Sequence, residues 1–171
     1  MKPTLNVLDF SRANDLLAYN AKTGAFLWKK DRGIKFLAGS VAGYTDPRGY
    51  TAICIDYRRH YAHRLAWLLS YGNWPAKQID HINGNKTDNR LANLREATPA
   101  QNNANSKTHK RNKSGFRGVS WSTRDRCWRA FISFNRARRS LGDFQSAYEA
   151  NAAYQREARR LFGEFQREKA R

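Results

Sequence analysis

The sequence predicts an α+β chain built as two modules. Residues 1–105 read as a β-rich part (1–56) leading to a strand–loop–strand–helix core at about 77–105. A basic linker follows at 106–113, and residues 114–171 read as a three-stranded antiparallel sheet packed on one helix. Three observations predict this. Short apolar runs punctuated by turn residues fill the first third and return after Ser114. Helical spacing is confined to separate short segments. Residues 103–114, NANSKTHKRNKS, contain no large apolar side chain and separate the two patterns.

The elements follow in order. AFLWK and YTAICIDY carry strand patterning, the second alternating in period two, and Asp46-Pro47-Arg48-Gly49 is a turn between them. HYAHRLAWLLSY (60–71) switches to helical spacing. Leu65, Leu68 and Leu69 share a face, and Gly72 and Pro75 stop the helix. Next come a short strand ending near Asn83-Gly84, a polar loop, and a second strand at about 94–98. Thr98-Pro99-Ala100-Gln101 starts a helix: Thr98 as N-cap, proline in the first turn, and Gln101 closing a capping box. Beyond the linker, FRGVSW, CWRAFISF and RRSLGDF read as three strands. Ser146 and Glu149 form a second capping box, and Ala147, Ala150, Tyr154, Ala158 and Leu161 give the final helix its apolar stripe up to Gly163.

Composition narrows function. The 171 residues carry 32 Lys and Arg against 14 Asp and Glu, a formal charge of +18. Such an excess repels itself in a compact chain and points to a polyanion partner. It concentrates locally: eleven basic residues between Ser106 and Gln145 face only Asp125 and Asp143. Cys54 and Cys127 form no CxxC pair, which argues against structural zinc and against a disulfide framework. No apolar run reaches the ~18 residues of a membrane span, and the N-terminus lacks the apolar run of a signal peptide. The expectation is action in the cytoplasm, without a membrane partner.

The densest chemistry lies at 78–102. Asp80 and Asn102 are oxygen donors of the kind that suit Mg²⁺ or Mn²⁺ rather than Zn²⁺. His81, with an ordinary pKa of about 6.5, is able to take a proton from water. Phosphodiester hydrolysis needs a base for water and a cation for the phosphate. Adjacent strand residues point to opposite faces, so Asp80 and His81 face one substrate only where the strand bends or ends. On spacing alone a structural Asp–His pair is the first reading. His63, on a helix with an apolar face, reads as a structural, hydrogen-bonding histidine.

A resemblance shifts that balance. His63-Arg64-Leu65, Ile79-Asp80-His81-Ile82-Asn83-Gly84, Asn89-Arg90, Asn93-Leu94-Arg95 and Thr98 through Asn102 resemble, in order and spacing, the HNH homing endonucleases of phages and self-splicing introns. The resemblance implies a ββα-metal fold for the core. It implies Asp80 and Asn102 as ligands of a divalent cation, His81 as general base, and Asn93 as the brace that positions His81. Asn102 stands where many relatives have His.

A second stretch, Ser114-Gly115-Phe116-Arg117-Gly118-Val119-Ser120-Trp121, Cys127-Trp128-Arg129-Ala130 and Leu141-Gly142-Asp143-Phe144, resembles the Apetala/ethylene-response-factor (ERF) DNA-binding domain. That resemblance implies a sheet laid in the major groove, read out by Arg117, Trp121, Arg124, Trp128, Arg129, Arg136 and Arg138. Lys107, Lys110, Arg111 and Lys113 of the linker suit a phosphate backbone. Strand alternation requires that if Arg129 reads DNA, Trp128 packs inward. The combined expectation is a homing-type endonuclease that cuts double-stranded DNA with one divalent metal and no other cofactor, as a monomer or weak dimer. The alternative is a catalytically inactive, sequence-specific DNA-binding regulator.

Overall fold

The computed structural model of the protein describes residues 8–34, 36–106, 112–134 and 137–166. The described residues form a mixed α+β fold with four α-helices and several small antiparallel sheets. It divides into two compact units, Met1–Glu96 and Ala97–Arg171. No helix among the described residues is long and apolar enough to cross a membrane.

The first unit opens with α1 (Phe10–Leu16), which the sequence patterning did not indicate. Asp9 caps it by accepting from the Arg12 N–H at 2.7 Å. Seven residues do not sustain a helix alone, and burial of Ala13 and Leu16 in the core holds this one. The chain then turns directly into β1 (Leu17–Tyr19), paired antiparallel with β2 (Phe26–Trp28). A three-stranded sheet follows, in the order β3 (Tyr44–Thr45), β4 (Thr51–Ile55), β5 (Arg58–Tyr61). The β4–β5 turn places Asp56 and Tyr57 at φ 48° and 62°, the left-handed geometry of a tight hairpin. Arg12 clamps Asp56 through two hydrogen bonds of 3.0 and 2.9 Å.

Helix α2 (Ala62–Tyr71) begins two residues later than the sequence spacing suggests, because residues 60 and 61 finish β5. Gly72, at φ 78°, ends it. Leu65 and Leu68 are buried among Leu17, Phe26, Ile53, Ile55, Ile79 and Leu94. The core therefore lies between α2 and the sheets. Two short strands complete the unit's framework, β6 (Gln78–His81) and β7 (Leu94–Ala97), paired in their own sheet.

The second unit begins with α3 (Pro99–Asn105). Thr98 Oγ1 accepts from Gln101 N–H, and the Gln101 side chain accepts from Thr98 N–H at 2.8 Å. The sheet has the order β10–β9–β8, antiparallel throughout: β8 (Val119–Ser122), β9 (Cys127–Phe134) and β10 (Ala137–Phe144). Helix α4 (Ala147–Phe162) packs on one face, starting from a Ser146/Glu149 capping box. Ala104 of α3 is buried with Ile132, Tyr154, Ala158 and Phe162. The sequence reading ended the first module after Asn105; by its contacts α3 is counted with the second unit.

Candidate active site

Strand β6 delivers the central pair. Asp80 and His81 are each 4% exposed, and the strand ends at His81. Its carbonyl accepts from Gly84 N–H at 2.8 Å, closing a turn at once. The strand therefore ends at the residue after Asp80.

The loop from Asn83 to Asn93 is a lattice of side-chain-to-backbone bonds. Asn83 Oδ1 accepts from Asn85 N–H at 2.8 Å, and Asn85 Oδ1 from Thr87 N–H at 3.1 Å. Asp88 is gripped by Arg90 through Nε and Nη2, at 2.8 and 2.6 Å. That guanidinium, helped by a hydrogen bond from Asn83, holds the Asp88 carboxyl down at about 2. Asn93 closes the loop from its far end. Its Oδ1 accepts from Asn83 N–H at 3.0 Å, its Nδ2 donates to the Asp88 carbonyl at 2.8 Å, and its own carbonyl accepts from Ile82 N–H at 2.9 Å. Asn83, within His81's turn, and Asp88, beyond it, are thus tied to one buried side chain.

His81 Nε2 lies 3.4 Å from Asn89 Oδ1, and Asn89 Nδ2 donates to the Thr87 carbonyl at 3.1 Å. The His63 ring meets the His81 ring edge-on, with centroids 5.1 Å apart, and Tyr61 stacks on His63 at 5.5 Å. Tyr50 fills the same corner, 5.4 Å from His63 and 6.1 Å from His81. Burial lowers the His81 pKa, against the opposing pull of Asn89 and the nearby carboxylates. Burial also pushes His63 down to about 3. Both imidazoles are therefore neutral near pH 7, the state in which an imidazole accepts a proton. His63 Nδ1 is buried without a hydrogen-bond partner, so the hydrogen-bonding role foreseen for it is not seen at that atom.

Asp80 Oδ2 accepts from Arg95 Nε at 3.0 Å, and the Arg95 side chain is 13% exposed. The pair is buried, so each charge supplies much of the other's compensation. Arg95 and Asn89 are the site residues that the sequence motif contained but did not assign. Asn102 sits in the middle of α3, in the second unit. As donors, a buried carboxylate and an amide oxygen fit a hard divalent cation. Among the described residues no three His, Cys, Asp or Glu side chains gather as a metal site.

The residues expected to bind DNA fall into several environments. Lys107, Lys110, Arg111 and Arg136 lie outside the described residues. Lys113 and Arg124 are exposed. Trp121 is exposed and meets the half-buried Trp128 edge-on at 5.3 Å. Trp128 packs with Val119, Ala130 and Ala150 on the α4 side of the sheet, opposite Arg129. Arg129 is bound to Asp125 at 2.6 Å and to Asp143 at 3.2 Å. Arg138 lies over the Phe131 ring at 3.9 Å. Arg117 donates to the carbonyls of Ala104 and Ser106 at 3.0 and 3.2 Å.

A neutral imidazole is able to take a proton from water, and a buried carboxylate offers an oxygen donor. Comparison with known proteins gives the class its name. The family model described as HNH endonuclease matches residues 60–104, which span α2, β6, the loop, β7 and most of α3. The chain is 37% identical over 114 residues to "Protein 3.8" of Escherichia phage T7, covering 65% of this chain and 92% of that protein. It is 32% identical over 124 residues to an uncharacterised HNH endonuclease of Acanthamoeba polyphaga mimivirus, covering 71% of this chain and 63% of that one. No solved structure matches. The chain belongs to the HNH endonuclease family. It is a nuclease, with DNA as its substrate.

Proposed function

We propose that this nuclease is a metal-dependent, homing-type endonuclease that hydrolyses phosphodiester bonds of duplex DNA. His81 is the general base, and Asp80 and Asn102 hold one divalent cation, Mg²⁺ or Mn²⁺. The observation that carries the reading is His81 itself: a buried, neutral imidazole at the end of β6, fixed by Asn89 on one side and His63 on the other. Its unprotonated ring nitrogen takes the proton from water as the oxygen attacks phosphorus. The P–O3′ bond breaks, leaving a 5′-phosphate and a 3′-hydroxyl. When bound, the cation neutralises charge on the phosphate and the leaving oxygen. Asn93 acts through the loop, holding the turn that aims His81.

The ERF-like reading of the second unit supplies the grip on DNA. Of the residues expected to contact DNA, Lys113, Trp121, Arg124 and Arg138 are exposed among the described residues, and strand alternation puts Arg129 on the sheet face away from α4. Phosphate contacts by such residues position a duplex, and base contacts by arginine specify it. The setting is the cytoplasm, that of the host for a phage-encoded chain, and the working form is a monomer or weak dimer.

Supercoiled plasmid incubated with the protein and Mg²⁺, with an EDTA control, tests the reading. Wild type relaxes or linearises the plasmid only with metal. His81→Ala keeps its gel shift on duplex DNA and loses cleavage. Cleavage by His81→Ala at the wild-type rate removes His81 as base, and cleavage in EDTA removes the metal.

A further inference from the structure

Helix α3 has only seven residues, Pro99–Asn105. A helix this short is not stable by itself, because nucleation is costly and few bonds follow it. Its N-terminal end is fixed by the Thr98/Gln101 capping box. Its C-terminal end is fixed by a residue from a distant part of the chain. Arg117 Nη1 donates to the Ala104 carbonyl at 3.0 Å and the Ser106 carbonyl at 3.2 Å, and Nη2 donates to Ser106 Oγ at 3.1 Å. A guanidinium at a helix C-terminus satisfies orphan carbonyls and complements the negative end of the helix dipole. The arm of this clamp is itself immobilised. Gly118, at φ 67°, lies so close to the next strand that an added Cβ would sit 2.3 Å from the Phe131 carbonyl and 2.5 Å from the Tyr154 ring. Phe131 N–H donates to the Gly118 carbonyl at 2.7 Å, locking the backbone beside Arg117 to β9. Ala104 meanwhile is buried against Ile132, Tyr154, Ala158 and Phe162.

We propose that Arg117 is a positioning residue for the nuclease reaction: it clamps the end of α3 and so fixes Asn102, in place of reading a DNA base. The inference rests on the assignment of Asn102 as a metal ligand. The second unit then does two jobs, gripping DNA with its exposed groups and holding steady the helix that carries a ligand. All three described hydrogen bonds of the Arg117 guanidinium end on α3 or on Ser106, its C-cap.

The test uses the full chain and the variants Arg117→Ala, Arg117→Lys and Asn102→Ala. Hydrogen–deuterium exchange of the peptide 97–106, referenced to 60–75, reads the clamp without any metal. For Arg117→Ala, exchange at 97–106 rises about tenfold or more, as expected on deleting hydrogen bonds from a charged donor, while 60–75 is unchanged. Mn²⁺ binding followed by EPR weakens roughly tenfold, the usual consequence of removing a support behind a ligand. Gel-shift affinity for duplex DNA stays within about twofold, since no base or phosphate contact is lost. Arg117→Lys restores part of both losses, keeping the charge without the fork. Wild-type exchange at 97–106 in Arg117→Ala overturns the clamp, as does a large loss of DNA affinity with Mn²⁺ binding intact. Unchanged Mn²⁺ binding in Asn102→Ala instead removes the ligand assignment, and the exchange data still decide the clamp.

Discussion

Acidification should unfold this protein partly through one histidine, His63. In the folded chain its pKa is pushed from the ordinary 6.5 down to about 3 by burial, with the neighbouring His81 and Arg64 adding to the effect. In the unfolded chain it titrates near 6.5. As pH falls below 6.5 the unfolded state takes up a proton that the folded state refuses, so folding loses stability until the folded pKa is reached. At about 1.36 kcal/mol per pH unit the full loss is on the order of 4–5 kcal/mol, and the part between pH 6.5 and 4.5 about 2.7 kcal/mol. His63→Phe keeps a ring against Tyr61 and Tyr50 and removes the proton site. Urea denaturation of both proteins in metal-free buffer from pH 7.5 to 4.5 gives the two stability profiles. Wild type should fall by about 2–3 kcal/mol more than His63→Phe over that range. Parallel profiles would refute the claim that His63 is buried in its neutral form.

Three further perturbations have definite outcomes. With His81 as the proposed base, and its pKa lowered by burial, the acid limb of the kcat–pH profile should lie below pH 6.5, and a limb at or above 6.5 would contradict that role. Asn93→Ala leaves Asn83 N–H and the Asp88 carbonyl without their partner, costing about 2–3 kcal/mol by urea midpoint and lowering kcat more than it raises KM. Arg95→Met strips the buried Asp80 of its guanidinium. The loss in a thermal or urea melt should be about 3 kcal/mol, and a neutral result would mean that Asp80 is already well solvated.

Local signals were legible and long-range ones were not. Both capping boxes could be read because Thr98 with Gln101, and Ser146 with Glu149, lie three residues apart and satisfy each other. The identity and order of Asp80, His81, Asn93 and Asn102 were also visible, since the motif carries them. The partners that set His81's state were not. Asn89 reaches it across a loop, and His63 arrives from α2 through a ring contact that no local periodicity encodes. Helix α1 escaped notice because Ser11, Asn14 and Asp15 are poor helix formers, and only packing of Ala13 and Leu16 keeps it helical. By resemblance the sequence presents Arg117 as a DNA-contacting arginine, while its hydrogen bonds span up to thirteen residues back to α3. A sequence pattern assigns such a side chain a chemistry but not an address.

The β1–β2 turn bears on the site in a way its position at the start of the chain would not suggest. A methyl group on Gly24 would stand 2.6 Å from Arg90 N and 2.7 Å from the Asn89 carbonyl carbon, while Tyr19 Oη donates to the Asn89 carbonyl at 2.7 Å. The Leu91 N–H likewise donates to the Ala21 carbonyl at 3.0 Å. The hairpin is therefore a splint bolted to the back of the segment that carries Asn89 to His81, the proposed base. Trimming this front portion to obtain a minimal cutting fragment, or threading a tag through residues 20–25, would release Asn89 and blunt the nuclease although every motif residue remained in place.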